Sequence, residues 1–180
     1  SGDDTLIGGA GADAFDGGNT DETAVGDTVT YAGGAAIILD LTDATGASNT
    51  NDALGDTFTD IERFIGTSNN DTMVADNSGV YFQGGFGNDT LTGGDGDDTL
   101  LGGGNSDLFI ASRGTDTVGG EVNSGDTLSY EALGDATGNG VNFVLNVGGN
   151  RNTGGTATLS VLGDVTTFSS LDGFAGTNHA

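Results

Sequence analysis

The chain has 180 residues, and its 27 acidic residues against three arginines give a formal net charge of −24 at pH 7. This charge excludes nucleic acids and anionic membrane surfaces as partners, because no basic face could neutralise their phosphates. The absence of cysteine excludes disulfides, thiolate metal sites and cysteine nucleophiles. Leu, Ile, Val and Phe number only 40, against 36 glycines, so the chain is not expected to fold without a stabilising cationic partner.

The chain begins with copies of a nine-residue repeat. The segment GDDTLI, residues 2–7, supplies the last six positions of one copy, and GGAGADAFD, residues 8–16, is a complete copy. A GDTVTY segment follows from residue 26, so residues 1–30 are predicted to form a first short array and its exit strand. Residues 31–65 contain the strand-like AIILDL and are predicted to form an inter-array β segment.

The main array is predicted to cover residues 66–129. Its full matches to the repeat are GGFGNDTLT and GGDGDDTLL, between residues 84 and 101. Weaker copies flank them in the same register: GTSNNDTMV, ADNSGVYFQ, GGGNSDLFI and ASRGTDTVG, and then EVNSGDTLS after one extra residue, Gly120. Residues 130–180 resemble residues 31–65 and are predicted to be a second inter-array β segment. We therefore expect residues 1–180 to be one continuous solenoid fragment of a longer tandem array.

Each position of the repeat has a physical role. Glycine at positions one, two and four permits the positive φ angles of a tight turn and leaves main-chain carbonyls accessible. Aspartate at position six adds a carboxylate to those carbonyls, and such an all-oxygen environment suits a hard cation such as calcium. The last three residues alternate as a short strand with one inward apolar residue. The inward residues are Leu6, Phe15, Met73, Phe82, Leu91, Leu100, Phe109, Val118 and Leu128.

Two repeats make one 18-residue coil with two short parallel strands that face each other across a thin core. Coils stack at about 4.8 Å and calcium–oxygen distances are about 2.4 Å, so one ion fits midway between two stacked turns. Turns two repeats apart lie on the same side. We therefore expect two edges of aspartates, one with Asp71, Asp89 and Asp107 and the other with Asp98 and Asp116.

Two departures from the repeat affect these edges. Asp126 extends the first edge if Gly120 is absorbed as a bulge. Val80 stands where turn 75–80 would carry its aspartate. The site between that turn and turn 93–98 is therefore expected to be empty or weak.

The three full copies resemble the GGxGxDxUx signature of the RTX (repeats-in-toxin) family of calcium-binding nonapeptide repeats. The resemblance implies a right-handed parallel β-roll, an all-β solenoid that binds several Ca²⁺ ions between stacked turns. Asn105 replaces the fourth-position glycine in its copy, and asparagine tolerates the left-handed angle needed there. The metal ligands implied, through carboxylate or main-chain oxygens, are Asp4, Gly8, Gly9, Gly11, Asp13, Asp71, Gly84, Gly85, Phe86, Gly87, Asp89, Gly93, Gly94, Asp95, Gly96, Asp98, Gly102, Gly103, Gly104, Asn105, Asp107, Gly114, Asp116 and Asp126.

The other polar residues have simpler interpretations. Acidic residues outside position six, such as Asp40, Asp43 and Asp52, are expected to form a solvated face. Tyr31 is expected to pack rather than to bind a ligand. The only histidine is His179 and there is no cysteine, so a histidine- or cysteine-based nucleophile and base pair is not expected. Pairs of carboxylates are certain to occur by chance among 27 acids, and no catalytic activity is expected.

These features favour a calcium-binding structural module of a secreted or cell-surface protein, such as an adhesin, a surface-layer protein or an extracellular filament component. Such a module would fold on binding extracellular calcium after export of the unfolded chain, as in type I secretion. Its expected partners are calcium and neighbouring units of the same chain. Membrane insertion is not expected, because the longest apolar run spans only residues 35–39. A second interpretation is a carbohydrate-binding module of a secreted polysaccharide-modifying enzyme.

Overall fold

The computed structural model describes residues 2–18, 26–110, 114–119 and 125–129, and the backbone of strands at 140–145, 163–169 and 173–175. The predictions for Gly120 and His179 lie outside these residues. One short 3-10 helix covers Asn51–Ala53. The strands are β1 (Thr5–Leu6), β2 (Ala14–Asp16), β3 (Thr28–Thr30), β4 (Ile38–Asp40), β5 (Thr57–Thr59), β6 (Arg63–Ile65), β7 (Thr72–Val74), β8 (Tyr81–Phe86), β9 (Thr90–Thr92), β10 (Thr99–Gly104), β11 (Leu108–Ile110), β12 (Thr117–Gly119), β13 (Thr127–Ser129), β14 (Gly140–Leu145), β15 (Gly163–Ser169) and β16 (Gly173–Ala175).

Successive repeats place their strands alternately in two parallel sheets. One sheet has the order β1-β3-β6-β8-β10-β12-β15-β14, and the other has the order β16-β13-β11-β9-β7-β4. Strands β2 and β5 form a separate parallel pair. Between residues 72 and 119 of the main array, paired strand residues are one coil, or 18 positions, apart in the sequence, so Met73 lies beside Leu91 and Phe82 beside Leu100. The predicted parallel β-roll is therefore confirmed.

The core consists of the predicted inward residues. Every one from Met73 to Leu128 is at most 1 % exposed, and Phe15 is also buried, whereas Leu6 on the edge strand β1 is only partly buried. At the N-terminal end, aromatic rings fill the core: Phe58 stacks on Phe15 at 5.7 Å between ring centroids and meets Phe64 edge-on at 5.0 Å. One inward residue per strand therefore gives a continuous core despite the low apolar content.

The described part of the first inter-array segment continues the same two sheets. Strands β3 and β6 lie between β1 and β8, and β4 pairs with β7. Val29, Phe64 and Leu39 are buried in the same inward columns as the repeat residues. The residues that this segment has beyond the repeat pattern lie in a loop between β4 and β5. No helix in the described part of the chain is long and apolar enough to cross a membrane.

Candidate metal sites in the stacked turns

In the main array, the aspartates at position six are buried at the ends of the turns. Each comes directly before a strand, so pairing of that strand fixes the height of its carboxylate in the stack. Their exposed fractions are 0–2 %, which is unusual for an acidic residue. The buried set is Asp71, Asp89, Asp98, Asp107, Asp116 and Asp126.

These carboxylates form a hydrogen-bonded ladder along each edge. The backbone N–H of Asp71 donates to Oδ1 of Asp89 at 2.8 Å, and the N–H of Asp89 donates to Oδ1 of Asp107 at 2.8 Å. The N–H of Asp107 reaches Asp126 at 2.9 Å, nineteen residues along the chain, so Asp126 does extend this edge. On the other edge the N–H of Asp98 donates to Asp116 at 3.0 Å. The two predicted edges are therefore present.

The second carboxylate oxygen faces the glycine that begins its own turn. A Cβ atom on Gly84 would collide with Oδ2 of Asp89, and one on Gly102 would collide with Oδ2 of Asp107. In these two turns position one requires glycine because there is no room for a side chain. Oδ2 of both aspartates, and of Asp13, is buried without a hydrogen-bond partner. A bound cation would stabilise such an oxygen, whereas burial alone destabilises it.

Burial changes the protonation of these groups. Burial, together with the neighbouring carboxylates of Asp71 and Asp107, raises the pKa of Asp89 to about 7. Burial likewise raises the pKa values of Asp98 and Asp107 to about 6, although backbone N–H donors oppose the effect. In the absence of a cation, folding therefore shifts these acids toward protonation, and a divalent ion would offset the charge that burial penalises.

The turns adopt two backbone conformations. In turn 84–89, Gly85 and Gly87 have φ angles of 115° and 120°. In turn 102–107, Gly103 has a φ of 99° and Asn105 one of 86°, which confirms that asparagine takes the left-handed angle at position four. Turns 8–13 and 111–116 also have a left-handed glycine at position four. In these turns the consensus glycines do what the sequence pattern predicts.

Turn 93–98 differs although its sequence matches the repeat in full. Gly94 and Gly96 lie outside the left-handed region and pack against the backbone of turn 75–80. The N–H of Gly94 donates to Oδ2 of Asp98 at 2.9 Å, and the N–H of Val80 donates to Oδ1 at 3.0 Å. Both oxygens of Asp98 are therefore hydrogen-bonded. This arrangement agrees with a weak site beside turn 75–80, which stays a prediction.

The donor set fits calcium. No three His, Cys, Asp or Glu side chains form a metal-binding group within the described residues, so each inter-turn site would combine one or two carboxylates with main-chain carbonyls. These are all oxygen donors, as a hard cation requires. Asp4 and Asp95 are exposed, unlike the other predicted aspartate ligands. The individual ligand assignments stay predictions.

Two buried acids lie outside the recognised repeats. Asp27 and Asp56 have exposed fractions of 0 % and 1 %, so the expectation of a solvated face is wrong for them. Both occupy the ladder position: the N–H of Asp4 donates to Asp27 at 2.6 Å, and that of Asp13 to Asp56 at 2.9 Å. Both share with Asp126 a Gly-Asp-Thr sequence, which indicates their position in the ladder. They do not fall on the nine-residue period, so the period alone does not reveal them.

Tyr31 packs as predicted. It is 5 % exposed, and its hydroxyl group donates to Oδ2 of Asp56 at 2.8 Å. Burial and the neighbouring carboxylates raise its pKa well above the usual value. Asp43, in contrast, lies in the loop between β4 and β5, where hydrogen bonds from Thr45 and Ser48 hold its pKa below the usual range.

A parallel β-roll with stacked, buried aspartates at its turns defines a class of calcium-binding repeat protein. A family model described as the RTX calcium-binding nonapeptide repeat matches residues 1–28 and 83–118, in four copies. These segments make up just over a third of the chain. The chain therefore carries RTX calcium-binding nonapeptide repeats, as the sequence resemblance indicated. No curated protein matches the chain.

Proposed function

We propose that the chain is a non-catalytic structural module of a secreted or cell-surface protein, and that it folds when it binds extracellular calcium. The carrying observation is the ladder of buried carboxylates in which Oδ2 of Asp89 and Asp107 has no hydrogen-bond partner. Folding without a cation would bury several like charges side by side. Because the stacked sites do not exist in the unfolded chain, the free energy of calcium binding becomes free energy of folding.

The location outside the cell follows from the same dependence. A chain of this charge stays unfolded where calcium is scarce, which suits export through a narrow channel. It folds where calcium reaches the 10⁻⁴–10⁻³ M at which extracellular modules bind it. The repeat family supports this location, since RTX repeats are typical of secreted proteins. The folded roll would then serve as a spacer or display element of an adhesin, surface layer or filament.

A calcium titration followed by circular dichroism tests the proposal. In excess chelator we expect the spectrum of an unfolded chain, and in millimolar calcium a β spectrum. A calcium concentration one hundred times Kd contributes about 2.7 kcal/mol per site, so several sites suffice to fold a chain of this size. A fully folded β spectrum in chelator would refute the proposal.

A pair of variants makes the test specific to the turns. Asp89→Asn and Asp43→Asn remove the same formal charge, but only Asp89 lies in the ladder. We expect Asp89→Asn to raise the calcium midpoint by several fold and Asp43→Asn to leave it nearly unchanged. Equal midpoints would mean that net charge, and not the turn site, controls folding. The carbohydrate-binding interpretation stays a prediction, which a glycan array with the calcium-loaded chain would test.

A further inference from the structure

Asp27 is a fully buried acid with one oxygen unaccounted for. Its exposed fraction is 0 %, and Oδ1 accepts the N–H of Asp4 at 2.6 Å. Oδ2 is buried without a hydrogen-bond partner. It points at Gly17, where a Cβ atom would collide with it and also with the carbonyl oxygen of Asp60. A buried carboxylate oxygen and a carbonyl oxygen thus converge on the same glycine.

The same convergence occurs in the calcium-binding repeats. A Cβ atom on Gly84 would collide with Oδ2 of Asp89 and lie 2.7 Å from the carbonyl oxygen of Gly102, which begins the next turn on that edge. Gly17 therefore corresponds to position one, Asp27 to position six, and Asp60 to position one of the following turn. In the sequence, nine residues lie between Gly17 and Asp27, in place of the four between Gly84 and Asp89.

Glu62 completes the correspondence. The N–H of Asp27 donates to Oε2 of Glu62 at 2.8 Å, as the N–H of Asp71 donates to Asp89 at 2.8 Å in the main array. Glu62 also comes directly before its strand, β6. Only one residue separates Asp60 from Glu62, so this is a contracted turn, and the longer glutamate side chain reaches the ladder from it.

The backbone of Asp60 supports this role. Its φ of 51° is left-handed, which is uncommon for a residue other than glycine. The nearest cationic side chain in sequence, Arg63, does not neutralise the acids, because its guanidinium lies over the ring of Tyr81 at 3.6 Å from the centroid. Asp3 adds further negative charge, accepting the N–H of Gly26 at 3.3 Å.

We propose that the carboxylates of Asp27 and Glu62, together with the carbonyl oxygen of Asp60, form a further calcium site where the chain enters strands β3 and β6. The donors are all oxygens, as a hard divalent cation requires. The site joins the first array to the inter-array segment, so the two fold together on calcium binding although residues 31–65 contain no nonapeptide. The inference rests on the proposed calcium-dependent folding of the chain.

Counting bound calcium tests this site. Equilibrium dialysis against ⁴⁵Ca²⁺ would be carried out on the full 180-residue chain, on Asp27→Asn and on Glu62→Gln, with Asp43→Asn as the control of equal charge change. Each amide keeps an oxygen that accepts the ladder N–H, so both variants are expected to give the wild-type β spectrum at saturating calcium. We expect Asp27→Asn to bind one ion fewer per chain and the control to bind the wild-type number.

The outcomes separate this site from the proposed function. An unchanged calcium count in Asp27→Asn would overturn the inference while leaving the proposed function intact. A wild-type chain that binds no calcium would overturn the proposed function itself. If Asp27→Asn fails to give the β spectrum, Glu62→Gln decides: loss of one ion supports the site, and retention of every ion refutes it.

Discussion

Replacing Asp107 with asparagine should have opposite effects on folding with and without calcium. Asp107 lies in the middle of the first ladder, between Asp89 and Asp126. An asparagine has nearly the same size and keeps an oxygen that accepts the N–H of Asp89. What it removes is one buried negative charge. Without calcium that charge destabilises the folded state, whereas with calcium it is a ligand.

The structure sets the size of both effects. Burial, with a contribution from Asp126, raises the pKa of Asp107 to about 6 from its usual value of 3.8. This difference corresponds to about 3 kcal/mol at neutral pH, which solvent screening at the edge of the turns reduces to about 1–2 kcal/mol. In calcium at one hundred times Kd, losing one ion costs about 2.7 kcal/mol. The two contributions are similar in size and opposite in sign.

Two folding titrations at pH 7.5, followed by circular dichroism, separate the two contributions of the Asp107 charge. In chelator, trimethylamine N-oxide induces folding by exclusion from the protein surface, and Asp107→Asn should need less of it than the wild type. In the calcium titration the same variant should need more calcium. Asp43→Asn controls for net charge and should move neither midpoint appreciably. If Asp107→Asn needed more of both agents, Asp107 would be a structural hydrogen-bond acceptor and not a calcium ligand.

Three further predictions follow from the same geometry. The folded-state pKa values of Asp89, Asp98 and Asp107 are raised to about 6–7. The calcium-free fold should therefore be most stable below about pH 4 and lose that stability as pH rises through 7. Because protons compete with calcium, the calcium midpoint measured by circular dichroism should rise as pH falls from 8 to 6. Tyr31→Phe removes the donor to Asp56 and should lower the free energy of unfolding in calcium by about 1–3 kcal/mol, measured by urea denaturation. Val80→Asp restores position six and should add one ion in equilibrium dialysis; an unchanged count would contradict this.

The sequence predicted the core and the two edges because both depend directly on the repeat period. Nine residues advance the chain by half a coil, so residues 18 apart must be neighbours. Met73 and Leu91 therefore lie side by side, as do Asp71 and Asp89. Asp126 and β13 keep this register against Asp107 and β11, although one extra residue precedes them in the sequence.

The sequence did not predict features that depend on the neighbouring coil. Turn 93–98 matches the repeat in full, yet its glycines are not left-handed, because they pack on the degenerate turn 75–80 eighteen residues earlier. Asp27 and Asp56 were missed for a related reason. They do not fall on the nine-residue period, and only the pairing of β3 and β5 with their neighbours reveals the shared position.

The ladder explains how acids at different sequence spacings can occupy equivalent positions. Asp27, Glu62 and Asp89 each accept a backbone N–H from the preceding coil at 2.6–2.8 Å, although nine, one and four residues separate them in sequence from Gly17, Asp60 and Gly84. Since each acid comes directly before a paired strand, strand register and not turn length fixes the carboxylate. Coils stack at about 4.8 Å, so each added coil places another charge beside the last. The demand for cations must therefore grow with every coil, including coils that the nonapeptide pattern does not mark.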